Sequence, residues 1–187
     1  NNRRKPLDDV GVRRAIAHAV DVRAIARSVG LGKASLMHGV LPEGVPGHDP
    51  SIPIPERDLD EARRLLRQAG VAPGLRLTLS YVPSSTTSDT AALAIQSQLA
   101  EAGIRVVLEV LASSAIGKVR RGDFDLALGN WYADFPDPWP IMKFSFNSAN
   151  VGEGLNIARY ANPAVDRLLN RAEVTMDTAA RIDLYRQ

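Results

Sequence analysis

The stretch NWYADFPDPW, residues 130–139, sets two carboxylates, Asp134 and Asp137, among aromatic rings and prolines. Residues 131–146 hold six of the ten aromatic residues of the chain: Trp131, Tyr132, Phe135, Trp139, Phe144 and Phe146. A carboxylate held against apolar ring surface can pair with a cation such as a ligand amine. A charge-assisted hydrogen bond of that kind contributes about 1.5–3 kcal/mol. Asp134 suits this chemistry, and it equally suits a turn in which the side chain bonds its own backbone. Asp137 reads differently: Asp137-Pro138-Trp139 is the pattern of an N-cap followed by proline at the first helical position. Trp131 and Tyr132 fit either a core or a ligand platform. Trp139, Phe144 and Phe146 fall on the helix that Asp137 would open and read as core.

Other chemistry is harder to find. The three histidines, His18, His38 and His48, match no metal-binding spacing, so no metal site is expected. There is no G-x-S-x-G and no H-E-x-x-H. GLGKAS at residues 30–35 only superficially resembles a phosphate loop. Its first glycine is misplaced, Ala34 stands where Ser or Thr is needed, and it follows a helix rather than a strand. Without cysteine, disulfides, thiol catalysis and Cys-ligated metals are excluded. No residues suggest a nucleophile and its base, so binding without a cofactor is expected rather than catalysis.

The elements that must carry the aromatic stretch can be read from periodicity. Asp8 and Asp9 start a helix to about Val20, with Val12, Ile16 and Ala19 on one face. Asp21 caps a second helix that Gly30 stops. Residues 39–55 contain five prolines and three glycines, which excludes a helix or a central strand. Asp58 with Glu61 reads as a capping box for a helix that Gly70 closes. Residues 75–81 alternate as a strand, and Ala92, Ile95, Leu99 and Ala102 line the next helix. Residues 104–110 make a second strand, Ser113 or Ser114 caps a short helix, and residues 124–128 make a third strand. Two more helices fit residues 164–176 and 178 onward. The order β-α-β-α-β implies parallel strands joined by crossovers. Ligands of open α/β sheets bind beyond the carboxyl ends of the strands, and NWYADFPDPW begins where the third strand ends.

At 187 residues and 45% hydrophobic content the chain can bury a core, and no run approaches a membrane helix. Net charge is +2 with the basic residues dispersed, so no nucleic-acid partner is expected.

Several segments resemble family 5 extracytoplasmic solute-binding proteins, the dipeptide- and oligopeptide-binding proteins of ABC importers. They are DDVGVRRAIAHAVDVRAIA (8–26), the Pro/Gly loop ending in HDP (48–50), DEARRLLRQAG (60–70), AIQSQLAEAGIRVVLEVL (94–111), RGDFDLALGNWYADFPDP (121–138) and YANPAVDRLLNRA (160–172). The resemblance implies an α/β, type II periplasmic-binding-protein-like lobe with a βαβαβ core sheet flanked by helices. Residues 1–187 would be a single lobe, the second of two closing on a ligand, with the first lobe and the final crossing outside this sequence. It implies an extracytoplasmic protein, periplasmic or a surface lipoprotein, whose signal segment is not in this sequence, and an ABC permease as partner. In peptide-binding members the Asp of a G-W-x-x-D segment holds the peptide's α-amino group. That Asp matches Asp134 and the tryptophan matches Trp131, although Asn130 intervenes here after Gly129. Asn130, Trp131, Tyr132, Asp134 and Phe135 are therefore the expected ligand-binding residues. The resemblance leaves open a nickel chelate, sugar or haem as solute, and a sensing or interaction module that does not transport.

Overall fold

The computed structural model describes residues 1–30, 34–83, 86–130, 135–152 and 155–187. They fall into two compact units: Asn1–Leu36 with Pro55–Val119 and Asp123–Gly129, and Met37–Ile54 with Arg120–Gly122 and Asn130–Gln187.

The first unit starts with short aspartate-capped helices. Asp9 accepts the Gly11 N–H at 2.6 Å and opens α1 (Val10–Ala19), which buries Val12, Ala15 and Ala19. Asp21 accepts the Ala24 N–H at 2.8 Å and opens α2 (Val22–Val29). Asp58 accepts the Glu61 N–H at 2.9 Å at the start of α3 (Leu59–Gln68), but the expected capping box is only half made. The Asp58 N–H instead donates to His18 O at 2.8 Å, and the Glu61 carboxylate takes two hydrogen bonds from Arg64.

Three parallel strands follow: β1 (Arg76–Tyr81), β2 (Arg105–Val110) and β3 (Leu126–Leu128), in the order β2-β1-β3. Leu79 of β1 faces Leu108 on one side and Leu126 on the other. On one face of the sheet Leu77, Leu79, Tyr81 and Val106 pack with Ala92 and Leu99 of α4 (Thr86–Glu101) and with the buried side of α1 and α3. Gly103 ends the turn after α4 at φ +86°, a conformation that only glycine adopts without strain. There Ile104 N–H reaches Leu99 O at 2.9 Å.

The other face is polar, and this shortens β3. The strand expected over 124–128 is laddered only from Leu126. The Thr78 N–H goes to the Asp125 carboxylate at 2.8 Å instead of a backbone carbonyl, and Phe124 O accepts from Asn1 Nδ2 at 3.3 Å. Arg4 pairs with the same aspartate at 2.6 Å. Further along, the fully buried Ser80 hydroxyl donates to Glu109 at 2.6 Å, and Glu109 pairs with Lys118 of α5 (Ile116–Arg121). A 3₁₀ turn, Ser113–Ala115, precedes α5, but neither serine caps it: Ala112 holds that position without a side-chain bond.

The second unit is helical. α6 (Pro138–Phe146), α7 (Pro163–Val174) and α8 (Thr178–Arg186) are capped by Asp137, Asn162 and Asp177. Leu169, Ala172, Leu184 and Tyr185 are buried with Trp139, Met142 and Phe146 against them. The Pro/Gly loop is tied down by Leu41 and Val45, which pack on Ile141 and Met142. Buried Asn156 organises the link to α7. Its Nδ2 donates to Asn147 O (3.1 Å) and Tyr160 O (2.8 Å), and its Oδ1 accepts the Tyr160 N–H at 2.9 Å.

Candidate functional site

The carboxyl ends of the three strands are Tyr81, Val110 and Leu128. Tyr81 is buried and its hydroxyl donates to Asp89 at 2.9 Å. That bond to a carboxylate, followed by burial, holds the phenol above its ordinary pKa, so it acts as a donor and not as a base. Val110 is 60% exposed, an apolar surface at the rim where ligands of such sheets gather.

β3 ends at Leu128, and Gly129 and Asn130 continue it as exposed residues. Of the five expected ligand residues, Trp131, Tyr132 and Asp134 lie outside the described residues. Asn130 and Phe135 are described and both are exposed, Phe135 by 50%. The aromatic run then turns inward. Trp139 meets Phe144 edge-on at 5.0 Å and Phe146 meets Tyr160 at 5.9 Å, and Trp139 and Phe146 pack on the core of the second unit. The core reading holds for Trp139 and Phe146, while Phe144 reaches the core only through its edge contact with Trp139; all three of these rings are partly buried.

Asp137 is the N-cap the sequence implies: its Oδ1 accepts the Trp139 N–H at 2.8 Å. It is also ion-paired to Arg181 of α8, which the sequence reading missed. The guanidinium holds the carboxyl below its usual range, with the Trp139 N–H adding to the effect. No local pattern signals a partner 44 residues away. The one available hint is that a capping carboxylate keeps a second oxygen for a cation. Lys143 likewise reaches Asn170 (2.9 Å) and Glu173 (2.7 Å) of α7. Helix α6, which leaves the aromatic stretch, is thus fastened to both other helices of its unit. Among the described residues no three His, Asp or Glu side chains gather to hold a metal, and no helix is long and apolar enough to cross a membrane.

The family model for bacterial extracellular solute-binding proteins, family 5 Middle, matches residues 1–153. The chain belongs to this family. The resemblance read from its helices and its RGDFDLALGNWYADFPDP segment is borne out. Over 188 residues it is 35% identical to the Escherichia coli K12 protein named "Probable D,D-dipeptide-binding periplasmic protein DdpA", covering 100% of this chain and 36% of that one. Among solved structures, the ABC transporter-associated periplasmic binding protein DppA from Helicobacter pylori, in complex with the peptide STSA, superposes with a TM-score of 0.92 at 29% identity. The match covers all of this chain and 36% of DppA. AgaA from A. tumefaciens R10, in complex with agropinic acid, superposes with a TM-score of 0.88 at 26% identity, over 100% of this chain and 38% of that one. The fold is the expected periplasmic-binding-protein-like α/β fold with a parallel sheet flanked by helices. The chain spans about 36% of the length of the curated family 5 relatives it matches.

Proposed function

We propose that this chain is one lobe, the second, of an extracytoplasmic solute-binding protein that delivers peptides to an ABC importer. One observation carries this reading. The third parallel strand ends at Leu128, the acid-bearing aromatic stretch follows at once in sequence, and ligands of α/β sheets bind beyond the carboxyl ends of the strands. Relatives across the whole chain are dipeptide-binding proteins. In the proposed mechanism the peptide bridges two lobes and favours the closed form by its higher affinity for it. Asp134 pairs with the peptide's α-amino group, Trp131, Tyr132, Phe135 and Asn130 wall the cleft, and the closed form docks on a membrane permease. Asp137 is not a ligand contact, because Arg181 and the α6 N-terminus already occupy it.

Native mass spectrometry of the full-length protein, with release and sequencing of what co-purifies, tests this. Peptides with free amino termini, lost in Asp134→Ala, are expected. A second reading, a non-peptide solute, is favoured by the AgaA likeness, since that protein holds agropinic acid. An amine-free solute in the spectrum would reject the peptide assignment and keep the transport class.

A further inference from the structure

Prolines at 136, 138 and 140 leave residues 135–140 with only three backbone donors, the N–H groups of Phe135, Asp137 and Trp139. Two of the three converge on Asp137. Its own N–H donates to Phe135 O at 2.8 Å, closing a tight turn around Pro136, and the Trp139 N–H donates to its Oδ1 at 2.8 Å. Asp137 therefore fixes both the end of the aromatic stretch and the first turn of α6. Beyond the turn Pro138 and Pro140 are buried; before it Phe135 is half exposed.

Arg181 holds Asp137 in turn. Its Nη1 and Nη2 reach the two carboxylate oxygens at 3.1 and 2.8 Å. A planar guanidinium fork on a carboxylate sets the plane of that carboxylate as well as its position. The fork stands on a firm base: the Arg181 N–H donates to Asp177 O at 3.0 Å, and α8 is seated through buried Leu184 and Tyr185. Lys143 fastens the other end of the helix. From the last turn of α6 it reaches Asn170 and Glu173 of α7.

We infer that Arg181 is a positioning residue for ligand binding: through Asp137 and the turn at Pro136 it fixes the backbone at Phe135, where the aromatic stretch joins α6. This rests on the ligand role proposed above for Phe135 and its neighbours. Arg181 touches no ligand itself and acts through one carboxylate. With the fork removed, Asp137 still accepts the Trp139 N–H, but its carboxylate is free to rotate and the turn to Phe135 opens more often. The far end of α6 stays fastened to α7 by Lys143.

Hydrogen exchange of residues 135–140, read by mass spectrometry on the ligand-free full-length protein, tests this without any solute. The Asp137 and Trp139 amides should exchange at least about tenfold faster in Arg181→Met, which loses a charge-assisted bond. Lys143→Met is the control. It removes an ion pair of similar length, 2.7 Å to Glu173, from the same helix and should leave those amides as in the parent. Calorimetry with a free dipeptide then reads the ligand side: Arg181→Met should weaken binding roughly three- to thirtyfold, and Lys143→Met should not. Unchanged exchange in Arg181→Met, an equal rise in Lys143→Met, or an unchanged dissociation constant for a dipeptide that the parent binds would overturn the positioning role. A parent that binds no dipeptide sinks the peptide reading alone, and exchange then decides the role of Arg181. If Arg181→Met folds poorly by circular dichroism, Arg181→Lys replaces it, keeping the charge and losing the fork. It should show the same faster exchange, and exchange at the parent's rate would reject the role.

Discussion

Arg181 grips Asp137 through both carboxylate oxygens, at 3.1 and 2.8 Å, while the same Oδ1 accepts the Trp139 N–H at 2.8 Å. One side chain therefore ends α6 and ties it to α8. Its removal loses an N-cap, worth about 0.5–2 kcal/mol, and a charge-assisted pair whose two side chains are about three-quarters buried. Asp137→Ala should cost about 2–3 kcal/mol in urea unfolding. Asp137→Asn keeps the capping oxygen and should cost distinctly less. Equal losses would show that the cap contributes nothing.

The same pair gives a pH dependence of definite sign. The Asp137 carboxyl is depressed, first by Arg181, and Glu109 is depressed by Lys118 and then Ser80. A group whose folded pKa lies below its unfolded value adds stability above the unfolded value, about 4 for carboxylates. It loses that stability as pH falls through the folded pKa. Stability should therefore fall on acidification below about pH 4. Glu173, also depressed by Lys143, is 41% exposed, and screening leaves it a small share. Thermal midpoints against pH should show a shallower acid limb in Asp137→Asn; an identical limb would remove Asp137 from the account.

At Gly122 the chain turns with φ +88°, and the Arg159 guanidinium lies where a side chain would begin: a β-carbon there would sit 2.2 Å from Nε. Arg159, itself at φ +57°, donates from Nη2 to Arg120 O at 3.1 Å. Gly122→Ala must strain the backbone and displace the arginine, a cost of about 1–3 kcal/mol. In Arg159→Ala the displaced group is gone, so the glycine substitution should cost less in that background. Additive losses across the double-mutant cycle would show that the two residues do not interact.

How far the sequence anticipates this molecule depends on the range of the interaction. Caps at Asp9, Asp21 and Asp137 are contacts within a few residues, so residue type and spacing reveal them. The parallel order also follows, because helices between strands demand crossovers. What escapes involves competition from distant groups. Glu61 cannot complete a capping box once Arg64 and His18 O take its part and that of the Asp58 N–H. β3 loses two expected residues to Asp125 and Asn1. The approach of the His38 and His48 rings, 6.4 Å between centroids, depends on how a Pro-rich loop folds, and nine intervening residues of mixed turns carry no periodicity from which to read it.

The amine anchor proposed for Asp134 can be tested without relying on a loss of binding alone. Pairing with a desolvated cation means that removing either partner strands the other, at roughly 3–5 kcal/mol. In the full-length protein, Asp134→Ala should therefore weaken binding of a free dipeptide by roughly two to three and a half orders of magnitude, at about 1.4 kcal/mol per tenfold. Acetylating the peptide's amine removes the charge from the other side and should weaken binding to the parent by a similar factor. The two changes share one interaction, so the acetylated peptide should bind Asp134→Ala and the parent about equally well. Calorimetry on the four combinations measures this coupling. If acetylation and substitution add, Asp134 acts on the fold or on closure, and the amine is held by another group.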